Sequence, residues 1–151
     1  MLSPSRASVR ILTVDDYEPF RRFLRLKLQE RPELQIIGEA SDGLQAVHKA
    51  QELQPDLILL DIGLPTLNGI AAAHQISRLV PRATALFLSQ ENDPDIIAEA
   101  LSNGAKGFVH KQNANTDLLR AIETALRGDR FVSTGLERAI RSGQLSGRPI
   151  L

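Results

Sequence analysis

The stretch DLILLDIGLPTLNG, Asp56–Gly69, decides how the rest of the chain is read. Four consecutive aliphatic residues stand between two aspartates. A run that short, with no polar position, predicts a strand buried on both faces, as the central strands of parallel sheets are. The strand is expected over Asp56–Asp61. Gly63, Pro65, Asn68 and Gly69 then mark a loop before the next helix.

Working outward, the same alternation recurs on both sides. VRILTV at Val9–Val14 is apolar and β-branched and stops at Asp15 and Asp16, which predicts a first buried strand. Phe20, Phe23, Leu24 and Leu28 follow at helical spacing, with Arg21, Arg22, Arg25 and Lys27 on the other faces and Pro32 beyond. LQIIGEA at Leu34–Ala40 is expected as the second strand. Ser41 or Asp42 can cap a helix with Leu44, Val47 and Leu53 on its stripe, closed by Pro55. Past Gly69 a helix runs to about Leu79, and ATALFLS at Ala83–Ser89 is the fourth strand. Pro94 opens a helix to about Ser102, Asn103-Gly104 ends it, Ala105–His110 is the fifth strand, and Asn115–Leu126 is the last helix. Strand and helix thus alternate five times. Right-handed crossovers turn this into a doubly wound α/β parallel sheet with helices on both faces.

The composition fits one domain of 151 residues, 42% hydrophobic and 24% charged. With aromatics at 4%, aliphatic side chains must fill the core. Eighteen basic residues balance eighteen acidic ones, so bulk charge argues for neither a nucleic-acid nor a membrane partner. The absence of cysteine excludes a disulfide framework, a thiol nucleophile and a cysteine metal site. No signal-peptide pattern or membrane-length apolar run is present, and the expected location is the cytoplasm.

In an open parallel sheet, functional residues gather at the carboxyl ends of the strands. Strand one ends in Asp15 and Asp16, strand three in Asp61, strand four in Ser89, and Lys111 follows strand five. Taken singly, each has an ordinary role as a helix cap, a turn hydroxyl or a solvated lysine. Together they predict three carboxylates, a hydroxyl and an ammonium on one sheet edge. Such a cluster needs an offset to its charge, and all-oxygen ligands favour a hard cation such as Mg²⁺ beside Lys111. A carboxylate next to such a metal suits phosphoryl transfer. His48, His74 and His110 form no ligand pair and are read as structural.

VDD (Val14–Asp16), LLDIGLPTLNG (Leu59–Gly69), Leu88-Ser89 and GAKGFVHK (Gly104–Lys111) together resemble the receiver domain of two-component response regulators, over about residues 8–127. The resemblance implies a flavodoxin-like (βα)5 fold with strand order 2-1-3-4-5. It also implies Asp61 as phosphoacceptor. Asp16, Asp61 and the Gly63 carbonyl would hold Mg²⁺, with Asp15 acting through a water. Lys111 and Ser89 would contact the phosphoryl group, and Ser89 and Phe108 would switch, Phe108 by turning inward. The donor would be a histidine kinase or phosphotransfer protein, and the chain would catalyse only its own phosphorylation and dephosphorylation.

Two departures stand out. Gln90 occupies a place where the family usually has a small residue, and Gln112 one where many members have proline. Gln90 supports an alternative, a phosphorylation-independent interaction module on the same fold. A metal-dependent phosphatase would need a general acid at Gly63, which cannot serve. Residues 1–7 are expected as a disordered extension and 128–151 as a linker-like tail. GDRFVSTGLERAIRSGQLSGRPIL is similar to the segment that follows the receiver in the NarL/FixJ-like subfamily, where a LuxR-type helix-turn-helix domain comes next. No such DNA-binding pattern is found in these 151 residues, so a downstream protein, an output domain or a second copy in a homodimer is the expected partner.

Overall fold

The computed structural model describes residues 8–133. The elements run β1 Val9–Val14, α1 Glu18–Leu28, β2 Leu34–Ala40, α2 Gly43–Leu53, β3 Leu57–Leu60, α3 Gly69–Leu79, β4 Thr84–Ser89, α4 Pro94–Ser102, β5 Gly107–His110, α5 Ala114–Leu126 and β6 Phe131–Val132. A single 3-10 turn, Lys111–Asn113, leads from β5 into α5. Every strand pair is parallel, and the order is β2-β1-β3-β4-β5-β6.

The central strand shows why four aliphatic residues stand in a row. Leu57 and Leu59 join one apolar cluster with Leu24 and Leu28 of α1 and Leu118 and Ile122 of α5. Ile58 and Leu60 join the other, with residues of α2, α3 and α4. All four are buried, and alternation along the strand sends them to opposite layers. At about 1.5–3 kcal/mol per fully buried aliphatic side chain, this strand is the anchor of both layers.

Helix starts follow local chemistry. The Asp42 carboxylate accepts the Gln45 amide at 2.8 Å, so Asp42 rather than Ser41 is the cap of α2. Asn68 accepts the Ala71 amide at 2.9 Å to cap α3, and Asp93 accepts the Asp95 amide at 2.9 Å to cap α4.

The sixth strand was not anticipated. Phe131 and Val132 pair with Gly107 and Phe108 at the sheet edge. A side chain at position 107 would meet the Phe131 carbonyl oxygen at 2.3 Å, so glycine there lets β6 approach. Two residues after a Gly128 turn carry no period, which hides the strand from pattern reading. β5 is also shorter than expected, beginning at Gly107 instead of Ala105. The expectations for residues 1–7 and for the tail beyond Ser133 lie outside the described residues.

Candidate functional site

β1 and β3 are neighbours and end at the same level, with Val14 opposite Leu60. Their next residues, Asp15 and Asp61, therefore lie side by side at the carboxyl edge. The Asp61 amide donates to the Val14 carbonyl at 3.1 Å, and the Asp15 amide donates to the Ala40 carbonyl of β2 at 3.0 Å. α3 closes in beneath. A side chain at position 69 would lie 1.8 Å from the Asp61 carbonyl oxygen, so only glycine permits that approach.

Lys111, delivered by the end of β5, bridges the two acids. Its Nζ lies 2.7 Å from Asp15 Oδ2 and 3.1 Å from Asp61 Oδ2. The remaining oxygens are held by main chain: Tyr17 N–H donates to Asp15 Oδ1 at 2.9 Å and Ile62 N–H to Asp61 Oδ1 at 2.7 Å. The Phe20 ring covers the ammonium, with its centroid 4.5 Å from Nζ. Arg21 donates to the Asp15 carbonyl and to Glu39, bracing the loop from below.

The electrostatics remain unbalanced. Asp15, Asp16 and Asp61 each offer an oxygen, all within 4.8 Å of one another, and Lys111 supplies one positive charge against three. Asp15 is 1% exposed. Burial raises its carboxyl above the ordinary carboxylate range, more than the Lys111 and Tyr17 hydrogen bonds lower it, and the Asp61 charge adds to the rise. For Lys111, burial by itself works against the ammonium. Its hydrogen bond to Asp15 and the charge of Asp61 outweigh that and raise its pKa. The donor set is all oxygen and in excess of its counter-charge, so the cluster could hold a metal ion of the hard, oxygen-seeking kind.

Asp16 and Gly63 are exposed at the rim of an open cleft that also exposes parts of Asp61, Ser89, Gln90, His110, Lys111 and Gln112. The sequence reading therefore placed Asp15, Asp16, Asp61, Gly63, Ser89 and Lys111 on the edge where the fold brings them together. Ser89 is nearly buried, and its Oγ accepts the Glu91 amide at 3.1 Å. Phe108 is 0% exposed, in the cluster that holds Phe87, Ile97 and Leu101. Its ring is already inside, so the inward turn expected of it has no outward starting point in this structure. Phe20 was read only as part of the α1 stripe, and His110 only as structural. His110 lines the cleft, and its Nε2 lies 2.8 Å from Asn92 Oδ1. A histidine that interrupts the apolar pattern beside Lys111 was the available signal for that contact.

Among the described residues no helix is long and apolar enough to cross a membrane. Residues 11–123 match the family described as the response regulator receiver domain. The transcriptional regulatory protein LnrK of Bacillus subtilis is 36% identical over 120 residues, which cover 80% of this chain and 54% of LnrK. The nitrate/nitrite response regulator protein NarL of Escherichia coli is 30% identical over 138 residues, 91% of this chain and 64% of NarL. This chain thus spans between half and two thirds of the length of these two relatives. The solved structure of a LuxR-family two-component response regulator from Aurantimonas sp. SI85-9A1 superposes with a TM-score of 0.86 at 28% identity, covering 93% of this chain and all of that one.

Proposed function

Since the chain belongs to the response regulator receiver domain family, we propose that it accepts a phosphoryl group on Asp61 in a Mg²⁺-dependent reaction and thereby switches a protein-interaction surface. The observation that carries this reading is the Lys111 bridge between Asp15 and Asp61, with Asp16 beside it and charge left to neutralise.

In this reading a carboxylate oxygen of Asp61 attacks phosphorus on a phosphohistidine of a kinase or phosphotransfer protein. The P–N bond breaks, the imidazole leaves and takes up a proton, and an acyl phosphate remains. Water later cleaves it to the carboxylate and inorganic phosphate. Asp16 and Asp61 would hold Mg²⁺ with their side chains and Gly63 with its carbonyl, while Asp15 would act through a water. Bound there, Mg²⁺ offsets the negative charge shared by the carboxylate and the transferring group. Lys111 exchanges one Asp61 oxygen for a phosphoryl oxygen without leaving its place over Phe20. Ser89 donates its hydroxyl to another phosphoryl oxygen, and the loop after β4 moves with it. The surface of α4, β5 and β6 then presents a different shape to a downstream protein, a second copy or a LuxR-type output domain. This is signalling in the cytoplasm, with no turnover of an external substrate beyond the phosphodonor.

Incubation with Mg²⁺ and acetyl phosphate tests this by mass spectrometry. Wild type gains one phosphoryl group, Asp61→Asn gains none, and EDTA abolishes the gain. No gain in wild type, or an undiminished gain in Asp61→Asn, overturns the reading. One observation favours a phosphorylation-independent module instead: Gln90 is exposed on the cleft wall beside Ser89. That module would bind its partner equally well after Asp61→Asn and without Mg²⁺.

A further inference from the structure

The loop between β4 and α4 is organised by its own side chains. Ser89 Oγ accepts the Glu91 amide at 3.1 Å, and Glu91 Oε2 accepts the Asn92 and Asp93 amides at 3.2 and 2.9 Å. Displacement of the Ser89 hydroxyl is therefore passed to Asn92 through two short links. Among the described residues, one hydrogen bond ties the side chains of residues 90–93 to a different part of the fold. It is Asn92 Oδ1 to His110 Nε2, at 2.8 Å.

The histidine is expensive where it stands. With Nε2 donating to an amide oxygen, the neutral ring leaves Nδ1 as a bare acceptor, and that nitrogen is buried without a partner. The preceding residues of β5 are Gly107, Phe108 and Val109, and an aliphatic residue would continue them without an orphaned nitrogen. What the imidazole adds is its outward nitrogen. The main chain of His110 faces the other way, and its N–H donates to Ser133 Oγ at 3.3 Å, just past β6. His110 thus joins the loop that carries Ser89 to the segment that leaves the sheet, one residue before Lys111.

We propose that the Asn92–His110 hydrogen bond is a latch that holds the β4–α4 loop in its resting place, so that Ser89 reaches a phosphoryl group on Asp61 only as the latch opens. His110 is then a positioning residue for the switch. The proposal rests on the phosphoacceptor reading, and it sets a threshold on switching that neither Asp61 nor Ser89 sets alone.

The test uses the full chain and beryllofluoride with Mg²⁺ as the phosphoryl mimic, with binding read by calorimetry. His110→Leu and Asn92→Ala should each bind it about two- to tenfold more tightly, the worth of one partly exposed hydrogen bond. The double variant should gain no more than either single one. His110→Gln, whose amide can donate from nearly the same place, should return to wild type. Without the mimic, the amides of residues 90–93 should exchange hydrogen faster in His110→Leu and Asn92→Ala but not in His110→Gln. Asn92 is exposed, so its variant tests the bond without touching the core. Unchanged or weaker binding, additive gains, or faster exchange with no gain in affinity would each overturn the latch. If wild type takes up no beryllofluoride, the phosphoacceptor reading falls first, and unchanged exchange in the variants then rejects the latch separately.

Discussion

The half of the sheet that carries the acids and the half that carries Ser89 are held by different forces. On the β1–β3 side, strands buried on both faces end in carboxylates gripped by an ammonium and by main-chain amides. On the β4–β6 side, Ser89 and His110 are tied to their surroundings by single hydrogen bonds: Glu91 N–H to Ser89 Oγ, His110 Nε2 to Asn92 Oδ1, and His110 N–H to Ser133 Oγ. Charge-assisted bonds in a dry setting are costly to break, whereas neutral bonds near water exchange for about 1 kcal/mol each. The difference teaches where motion can occur. On the proposed reading, Asp61 must be held still while something else moves, and couplings of about 1–3 kcal/mol are enough to shift a population only where the resting contacts are comparably weak.

The largest effect that would sharpen this contrast is in the core. Leu59→Ala on β3 should cost about 2–5 kcal/mol in denaturant unfolding, because its neighbours in α1 and α5 cannot close the cavity. Val132→Ala on the partly buried edge strand β6 should cost about 1 kcal/mol or less. Equal costs would break the comparison. Next is Lys111→Met. It leaves Asp15, 1% exposed, without its cation, and in metal-free buffer at neutral pH it should lose about 2 kcal/mol. Added Mg²⁺ should recover much of that loss if a divalent ion occupies the same cluster.

The smallest effect is a slope. The folded Asp15 carboxyl holds its proton to higher pH than the unfolded one, so the native state binds more protons between the two pKa values. Its contribution to stability is therefore full at acid pH and is lost as pH rises from the ordinary carboxylate range through the folded value. Lys111, also raised, adds a second loss in the alkaline range as pH passes its own folded value. In metal-free urea titrations across pH, Asp15→Asn should flatten the acid limb relative to wild type. A limb that stays as steep would mean that folding leaves the Asp15 carboxyl unshifted, and a change of the opposite sign would mean that Lys111, and not burial, governs it.

Much of this was legible before any coordinates. Leu57–Leu60 announced a central strand because both of its faces had to be apolar, and Asp15, Asp61 and Ser89 announced an edge because each ends such a run. β6 was not legible, since two residues are too few to carry a period and their place depends on the open side of Gly107. Nor were the partners of Lys111 and His110. Phe20 was a stripe residue in the sequence and became the lid over an ammonium only once α1, packed on β1 and β2, met the Lys111 side chain.

By itself, then, the sequence determined the order of the elements, the two-layered burial of the sheet and the edge on which the acids stand. Those depend on local patterns, strand termination and short loops, which neighbouring residues impose on one another. Only the tertiary structure decided that Lys111 spans Asp15 and Asp61, that Asn92 meets His110, and that Ser133 closes onto β5. These pairs are far apart in the chain, and a difference of an ångström separates a bond from none. The packing of whole strands and helices sets that ångström, and no run of residues encodes it locally.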